Sequence, residues 1–162
     1  MLEARQSMER IRHGMPVIIV PGHPEDYPAL AALWEASVRA SHHFVAEADI
    51  HFFKPLVRDV YLGAVTLTCA FDGVGDGRAL GFSGVAEGKI EMLFVAPEAF
   101  GRGIGTKLLR HAVETLGARE VDVNEQNART VAFYLRRGFV VVGRSELDGT
   151  GRPYPLLHMR LA

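Results

Sequence analysis

The stretch from Lys89 to Leu116, KIEMLFVAPEAFGRGIGTKLLRHAVETL, constrains this chain more than any other. Lys89 to Val95 reads as a strand, rich in β-branched and large apolar residues, and Pro97 in the link Ala96 to Phe100 keeps it from continuing. Gly101, Gly103 and Gly105 then alternate with other residues, and Ile104, Leu108, Leu109, Ala112, Val113 and Leu116 recur with the period of an amphipathic helix. A glycine-rich turn that feeds a helix N-terminus leaves several backbone N–H groups without partners at the positive end of the helix dipole. That arrangement suits a phosphate or pyrophosphate. Glycine lets the ligand approach the backbone and permits φ > 0.

Several nucleotide motifs compete for this turn. A Walker loop requires Gly-Lys-Ser/Thr, whereas the chain reads Gly105-Thr106-Lys107. A dinucleotide fingerprint needs G-x-G-x-x-G at the strand end; here Thr106 stands at the sixth position, and a link separates Val95 from Gly101. The spacing x-x-x-G-x-G/A after a strand and a short link does fit. It resembles the acetyl-CoA motif of the GCN5-related N-acetyltransferases (GNAT), Q/R-x-x-G-x-G/A, with Phe100 in place of Gln or Arg. A turn that only packs a helix on a strand is the alternative reading.

Taken in order, residues 1 to 15 read as a short peripheral helix stopped by Gly14 and Pro16, and 17–162 as a single domain. Val17 to Val20 is a first strand. Asp26 stands as a cap for a helix from Tyr27 to about Arg39, with Leu30, Leu33, Trp34 and Val38 buried. A second helix runs from about Glu47 to Tyr61 on Ile50, Phe53, Leu56, Val57 and Val60, with Pro55 bending or splitting it. Leu62 to Phe71 and Ala79 to Ala86 are strands about the turn Asp72 to Gly77, and with Lys89 to Val95 they make an antiparallel meander. Gly117 closes the next helix, Glu120 to Asn124 is a strand, and Asn127 caps a helix ending near Arg137 and Gly138. Phe139 to Arg144 and Pro155 to Leu161 are the last strands. The predicted order is β-α-α-β-β-β-α-β-α-β-β.

A second motif, Asn127 to Phe139, is similar to the family's N-x-x-A-x-x-F-Y-x-x-x-G-F, with Thr130 where Ala is usual. VRASHHF, VNEQN, FYLRRGF, GRSELD and GRPYPLL resemble the YjaB-type bacterial acetyltransferases more closely still. The resemblance runs from about Val17 onward. It implies an α/β (α+β) fold with a central mixed, mostly antiparallel sheet of about seven strands flanked by four helices. It also implies transfer of an acetyl group from acetyl-CoA to a primary amine on a small molecule or peptide.

Composition narrows the alternatives. A formal net charge of −1 gives no general attraction to nucleic acid or to an anionic membrane. No segment reaches the roughly 20 apolar residues of a membrane span, and the basic N-terminal residues lack the apolar centre of a secretory signal. The one cysteine, Cys69, among apolar neighbours, reads as a core residue in a reducing compartment. A cytoplasmic monomer or homodimer is the expectation. The seven histidines lack H-x-x-x-H spacing and have no cysteine partner, so no metal site is expected.

Acetyl transfer needs a bound thioester, a deprotonated amine and a proton for the leaving thiolate. The resemblance implies that backbone groups at Leu93 and Val95 pair with the pantetheine arm. It also implies that Arg102, Gly103, Gly105 and Thr106 hold the pyrophosphate, with the Arg102 side chain as a nearby cation. Tyr134 matches the family's general acid, and a phenol of pKa about 10 is matched to a thiolate. The competing role is a packed aromatic with its hydroxyl bonded to backbone. Glu91 is the candidate base, directly or through water. Strand alternation sets it on one face with Lys89 and Leu93, opposite Ile90, Met92 and Phe94. A solvated strand carboxylate is the alternative. Lys89 reads as an exposed edge cation, and as a base only if burial lowers its pKa. His42 and His43 lie between the first two helices, on the acceptor side in the resembling family; the favoured arrangement puts one in the site and one outside. Asn127 resembles the family residue that touches the cofactor arm, and also has the chemistry of a helix cap. A non-catalytic acyl-CoA-binding or interaction module of the same fold is the alternative to an enzyme.

Overall fold

The computed structural model describes residues 16–73 and 77–162. The reading of residues 1 to 15 as a helix, and part of the Asp72 to Gly77 turn, lie outside these. In chain order the elements are β1 (Val17–Pro21), α1 (Tyr27–Ser41), α2 (Glu47–Leu56), β2 (Thr66–Asp72), β3 (Ala79–Ala86) and β4 (Lys89–Val95), followed by α3 (Ile104–Glu114), β5 (Glu120–Asn124), α4 (Ala128–Arg136), β6 (Phe139–Ser145) and β7 (Leu156–Leu161). All seven strands form one sheet in the order β1-β2-β3-β4-β5-β7-β6, antiparallel except where β4 meets β5. The fold is mixed α/β with four α-helices among the described residues. None of them is long and apolar enough to cross a membrane.

Two differences from the sequence reading have one cause. Pro55 cannot donate a backbone hydrogen bond, and past it α2 widens into a π turn, Val57–Tyr61, and then a 3₁₀ turn, Leu62–Ala64. The helical path therefore continues through Leu62, and β2 begins at Thr66, not at Leu62. The wider turn also moves the buried stripe. Val57 is followed inward by Leu62, five residues on, whereas Val60 is 51% exposed.

The core has two parts. Helix α1 packs Leu30, Leu33, Trp34 and Val38 with Phe82, Met92 and Cys69; Trp34 meets Phe94 edge-on at 6.5 Å between ring centroids. Burial pushes the Cys69 thiol up to about 12, which keeps it protonated and inert. Helices α3 and α4 cover a second group: Leu109, Ala112, Tyr134, Val121, Val123, Phe139 and Met159, joined by Ile90.

Strand β4 departs from simple alternation. Against β3 it pairs Met92 with Gly84 and Ile90 with Val85, so Glu91 is an extra, unpaired residue: a β-bulge. Ile90 consequently packs in the group under α3 and α4, and Met92 in the group with α1. The expected face shared by Ile90 and Met92 does not exist, because the bulge interrupts the two-residue period at Glu91.

Pairing between β4 and β5 is confined to Lys89 with Glu120 and Ile90 with Val121. Beyond those pairs the strands separate. From Met92 to Val95, β4 is paired only to β3, and from Asp122 to Asn124, β5 is paired only to β7. The result is a wedge that opens toward the C-terminal ends of both strands, where α3 and α4 begin.

Candidate active site

Helix α3 starts at the mouth of the wedge. A 3₁₀ turn, Pro97–Ala99, follows β4, and then Gly101 and Gly103 take φ of 80° and 77°. Gly103 is the N-cap of α3, in a left-handed conformation that a side chain strongly disfavours. The first hydrogen bond back into the turn runs from the Lys107 N–H to the Gly103 carbonyl at 3.1 Å. The amides of Gly103, Ile104, Gly105 and Thr106 precede it and are the open donors of the helix end. A Cβ at Gly105 would sit 3.5 Å from the Phe133 ring of α4, so the two helices approach closely there.

The cations near this turn differ from expectation. Arg102 is held by Asp72, at the end of β2, at 3.0 Å, so its charge is already paired. The cation that reaches the first turn of α3 is Arg137, from the residue after α4. Its Nη2–H donates to the Thr106 hydroxyl at 2.6 Å, Nη1–H donates to the Phe133 carbonyl at 2.9 Å, and the guanidinium lies 3.8 Å over the Phe133 ring. Its Nε is buried without a hydrogen-bond partner, and no carboxylate pairs with it among the described residues. Burial, with Arg136 adding to it, lowers its pKa, the behaviour of a cation short of an anion. A groove of about 230 Å³ runs on from Thr106 and Arg137 along Leu109, Arg110 and Val113.

Tyr134 lies in the second turn of α4, 3% exposed, between Phe133 and Phe139 with ring centroids 5.1 and 5.3 Å away. Burial raises its pKa above the ordinary phenol value, so the hydroxyl keeps its proton. That hydroxyl makes no hydrogen bond among the described residues. The ring is packed in the core as the alternative reading has it, but no backbone group bonds its hydroxyl among the described residues.

Glu91 is exposed on its bulge, and its carboxylate has no hydrogen-bond or ion-pair partner among the described residues. Lys89 is not a free edge cation. Its Nζ donates to Asp122 Oδ2 at 2.5 Å. Burial works to lower its pKa, but the Asp122 hydrogen bond and charge, with Glu91 and Glu120, outweigh burial and raise it. Lys89 is therefore no base.

The two adjacent imidazoles diverge. His43 is exposed, whereas His42, at the C-terminal cap of α1, packs against Phe44 and Phe94. Its Nε2 lies 3.2 Å from Nδ2 of Asn127. Asn127 is 7% exposed and caps α4, its Oδ1 accepting from the Thr130 N–H at 3.2 Å. Both ends of the Asn127 side chain are thus engaged within the protein. At the end of β5, Asn124 Oδ1 is buried and has no hydrogen-bond partner among the described residues. The β6–β7 loop closes over the N-terminus of α2. The Tyr154 hydroxyl accepts from the Ala46 N–H at 3.1 Å and donates to Asp49, and Arg152 donates to Asp49 at 2.9 Å while stacking on Phe52.

An open wedge in a mixed sheet, with a bulged strand on one side and two helix N-termini at its mouth, is distinctive. The acetyltransferase (GNAT) domain family matches residues 39–141 of this sequence. This chain belongs to the GNAT acetyltransferase family. It is 36% identical over 135 residues to the peptidyl-lysine N-acetyltransferase YjaB of Salmonella typhimurium, covering 83% of this chain and 91% of that one. To the protein of the same name in Escherichia coli it is 34% identical over 145 residues, covering 90% and 97%. The solution structure of apo YjaB from Escherichia coli superposes with a TM-score of 0.82, over 91% of this chain and 99% of that one. A PaiA N-acetyltransferase from Thermoplasma acidophilum, solved with coenzyme A, shares the fold at a TM-score of 0.68 and 21% identity, over 91% and 100% of the two chains.

Sequence reasoning about this acetyltransferase missed Arg137, Asp122 and the Asp49–Arg152–Tyr154 lock. Each depends on a side chain meeting a residue remote in sequence. Only Arg137 left a local signal, as the second of two arginines between the helix stripe and Gly138.

Proposed function

We propose that this enzyme transfers the acetyl group of acetyl-CoA to the ε-amine of a lysine in a peptide or protein, by direct attack of the amine. Acetyl-CoA supplies an activated acyl thioester. The reading rests on the wedge: a strand edge from Glu91 to Val95 left open by β5, with a buried, unbonded phenol on the helix at its mouth.

The residues present suit the ligand. The open edge of β4 at Leu93 and Val95 can hydrogen-bond an extended amide-bearing arm as an added strand would. The amides of Gly103 to Thr106 and the guanidinium of Arg137 offer donors and a positive charge to a pyrophosphate, and the buried Arg137 Nε is a donor still to be satisfied. The groove of about 230 Å³ along α3 continues from these donors. Tyr134 holds its proton at working pH and donates it to the departing sulfur. Glu91, exposed and without a partner, takes the amine proton through water.

The choice of a lysyl acceptor rests on the two YjaB relatives, named as peptidyl-lysine N-acetyltransferases and aligned over most of both chains. The test is a pair of peptides, one with a free lysine and a blocked N-terminus, the other with a free N-terminus and no lysine. Thiol release with acetyl-lysine found by mass spectrometry is the expected result with the first. Acetylation of only the second, or of neither, overturns the lysyl assignment.

A further inference from the structure

The contact between His42 and Asn127 is one link in a longer chain whose proton positions can be assigned. The Ser41 hydroxyl donates to the Ser37 carbonyl at 2.6 Å, which uses its only proton. Ser41 Oγ also lies 2.7 Å from His42 Nδ1. Because Oγ can only accept there, Nδ1 carries the proton. At the other end, Asn127 Oδ1 accepts from the Thr130 N–H, so its Nδ2 faces His42 Nε2 as a donor. His42 must therefore be neutral, with its Nε2 lone pair turned to Asn127. Protonated, it would set an N–H against an N–H.

We infer that His42 is a positioning residue for acetyl transfer: its Nε2 lone pair ties the C-terminus of α1 to the cap of α4, the helix that carries Tyr134. The relay Thr130–Asn127–His42–Ser41–Ser37 crosses from the helices on one face of the sheet to the helix on the other. In this arrangement His42 is neither the amine base nor a contact for the acceptor, since both ring nitrogens are already used. The surroundings agree. Phe94 from β4 and Phe44 pack on the ring, and Asn127 from α4 carries no charge. Burial and then the neighbouring His43 push the His42 pKa down to about 4, so the neutral form persists across the working range.

The inference rests on the proposed transferase reading, and its test separates the two. Imidazole ¹⁵N shifts measured by NMR on the intact protein near neutral pH are expected to report a neutral ring protonated at Nδ1. An Nε2–H tautomer or an imidazolium overturns the relay whatever the substrate proves to be. Two variants of similar volume then isolate the acceptor atom. His42→Gln retains a carbonyl acceptor for Asn127 and is expected to keep most of kcat. His42→Leu has none, and kcat for lysyl-peptide acetylation is expected to fall about 10–100-fold, the scale of a slightly misplaced catalytic group. Acetyl-CoA affinity stays unchanged in both, and thermal melts establish that both are folded. Equal rates in the Leu variant and the wild type, or a Gln variant as slow as Leu, overturn the positioning role. A wild type inactive on every lysyl peptide overturns the transferase reading and the role with it, leaving the NMR result to decide the relay alone.

Discussion

Arg137 donates to the Thr106 hydroxyl at 2.6 Å and so joins the end of α4 to the first turn of α3. The bond delivers a cation that no carboxylate pairs with among the described residues to the N-terminal turn of α3, where the amides of Gly103 to Thr106 are open. Arg102, the cation that the motif itself contains, is spent on Asp72. On the proposed reading, the electrostatic side of cofactor binding falls to a residue outside the glycine motif.

Replacing Arg137 by Met keeps most of its apolar stem over Phe133 and removes the charge and donors. A charge-assisted contact contributes about 1.5–3 kcal/mol, so the acetyl-CoA Kd is expected to rise about 10–100-fold, with kcat at saturation nearly unchanged. Titration calorimetry checks the first and steady-state kinetics the second. An unchanged Kd would show that the guanidinium faces no phosphate.

Gly103 separates backbone strain from charge. At φ of 77° with nothing within 4 Å of a built Cβ, Gly103→Ala meets no steric neighbour but must hold a left-handed residue. The expected cost is about 1–2 kcal/mol of stability with cofactor binding retained. Gly103→Glu adds a carboxylate at the open amides and is expected to abolish binding in a protein of similar stability. Calorimetry together with denaturant melts of the two variants reads both effects.

Asp122 makes acid stability depend on the vertex of the wedge. Burial works to raise its pKa, but Lys89 at 2.5 Å and His158, whose Nδ1 donates at 2.6 Å, hold it below the ordinary 3.8. A carboxyl depressed in the folded state adds stability that is fully present above its unfolded pKa. That stability is lost as pH falls through the lower, folded value. Asp122→Asn is expected to cost about 1–3 kcal/mol near neutral pH, where Lys89 is left without its anion, and little at the acid end. Melts followed from about pH 7 to about pH 2 should show the two proteins converging below the ordinary carboxyl value. A constant difference across the range would mean that Asp122 is not held as a carboxylate by its partners.

Much of this architecture was legible because it is written locally. Lys89–Val95, Ala79–Ala86 and Glu120–Asn124 are strands within the expected bounds, and Asn127 caps α4 through its own side chain. What escaped is non-local. The bulge at Glu91 follows from pairing with β3, which no period in β4 alone discloses. Leu62 and Val65 look like the start of a strand, but a chain widened by Pro55 carries Leu62 inward on a helical path instead. The pairing of Arg102 with Asp72 and the reach of Arg137 to Thr106 each span about thirty positions in sequence, 30 and 31. A single residue type cannot announce such a partner.

The most direct test of the account is single-turnover acetylation of a lysyl peptide by Tyr134→Phe beside the wild type. The substitution removes one hydroxyl and keeps the ring contacts with Phe133 and Phe139. If that hydroxyl protonates the departing sulfur, the rate of the chemical step falls about 10²–10⁴-fold while acetyl-CoA affinity holds. Because the hydroxyl bonds no group among the described residues, stability is expected to change little. A Tyr134→Phe enzyme that acetylates the peptide at the wild-type single-turnover rate would contradict the account.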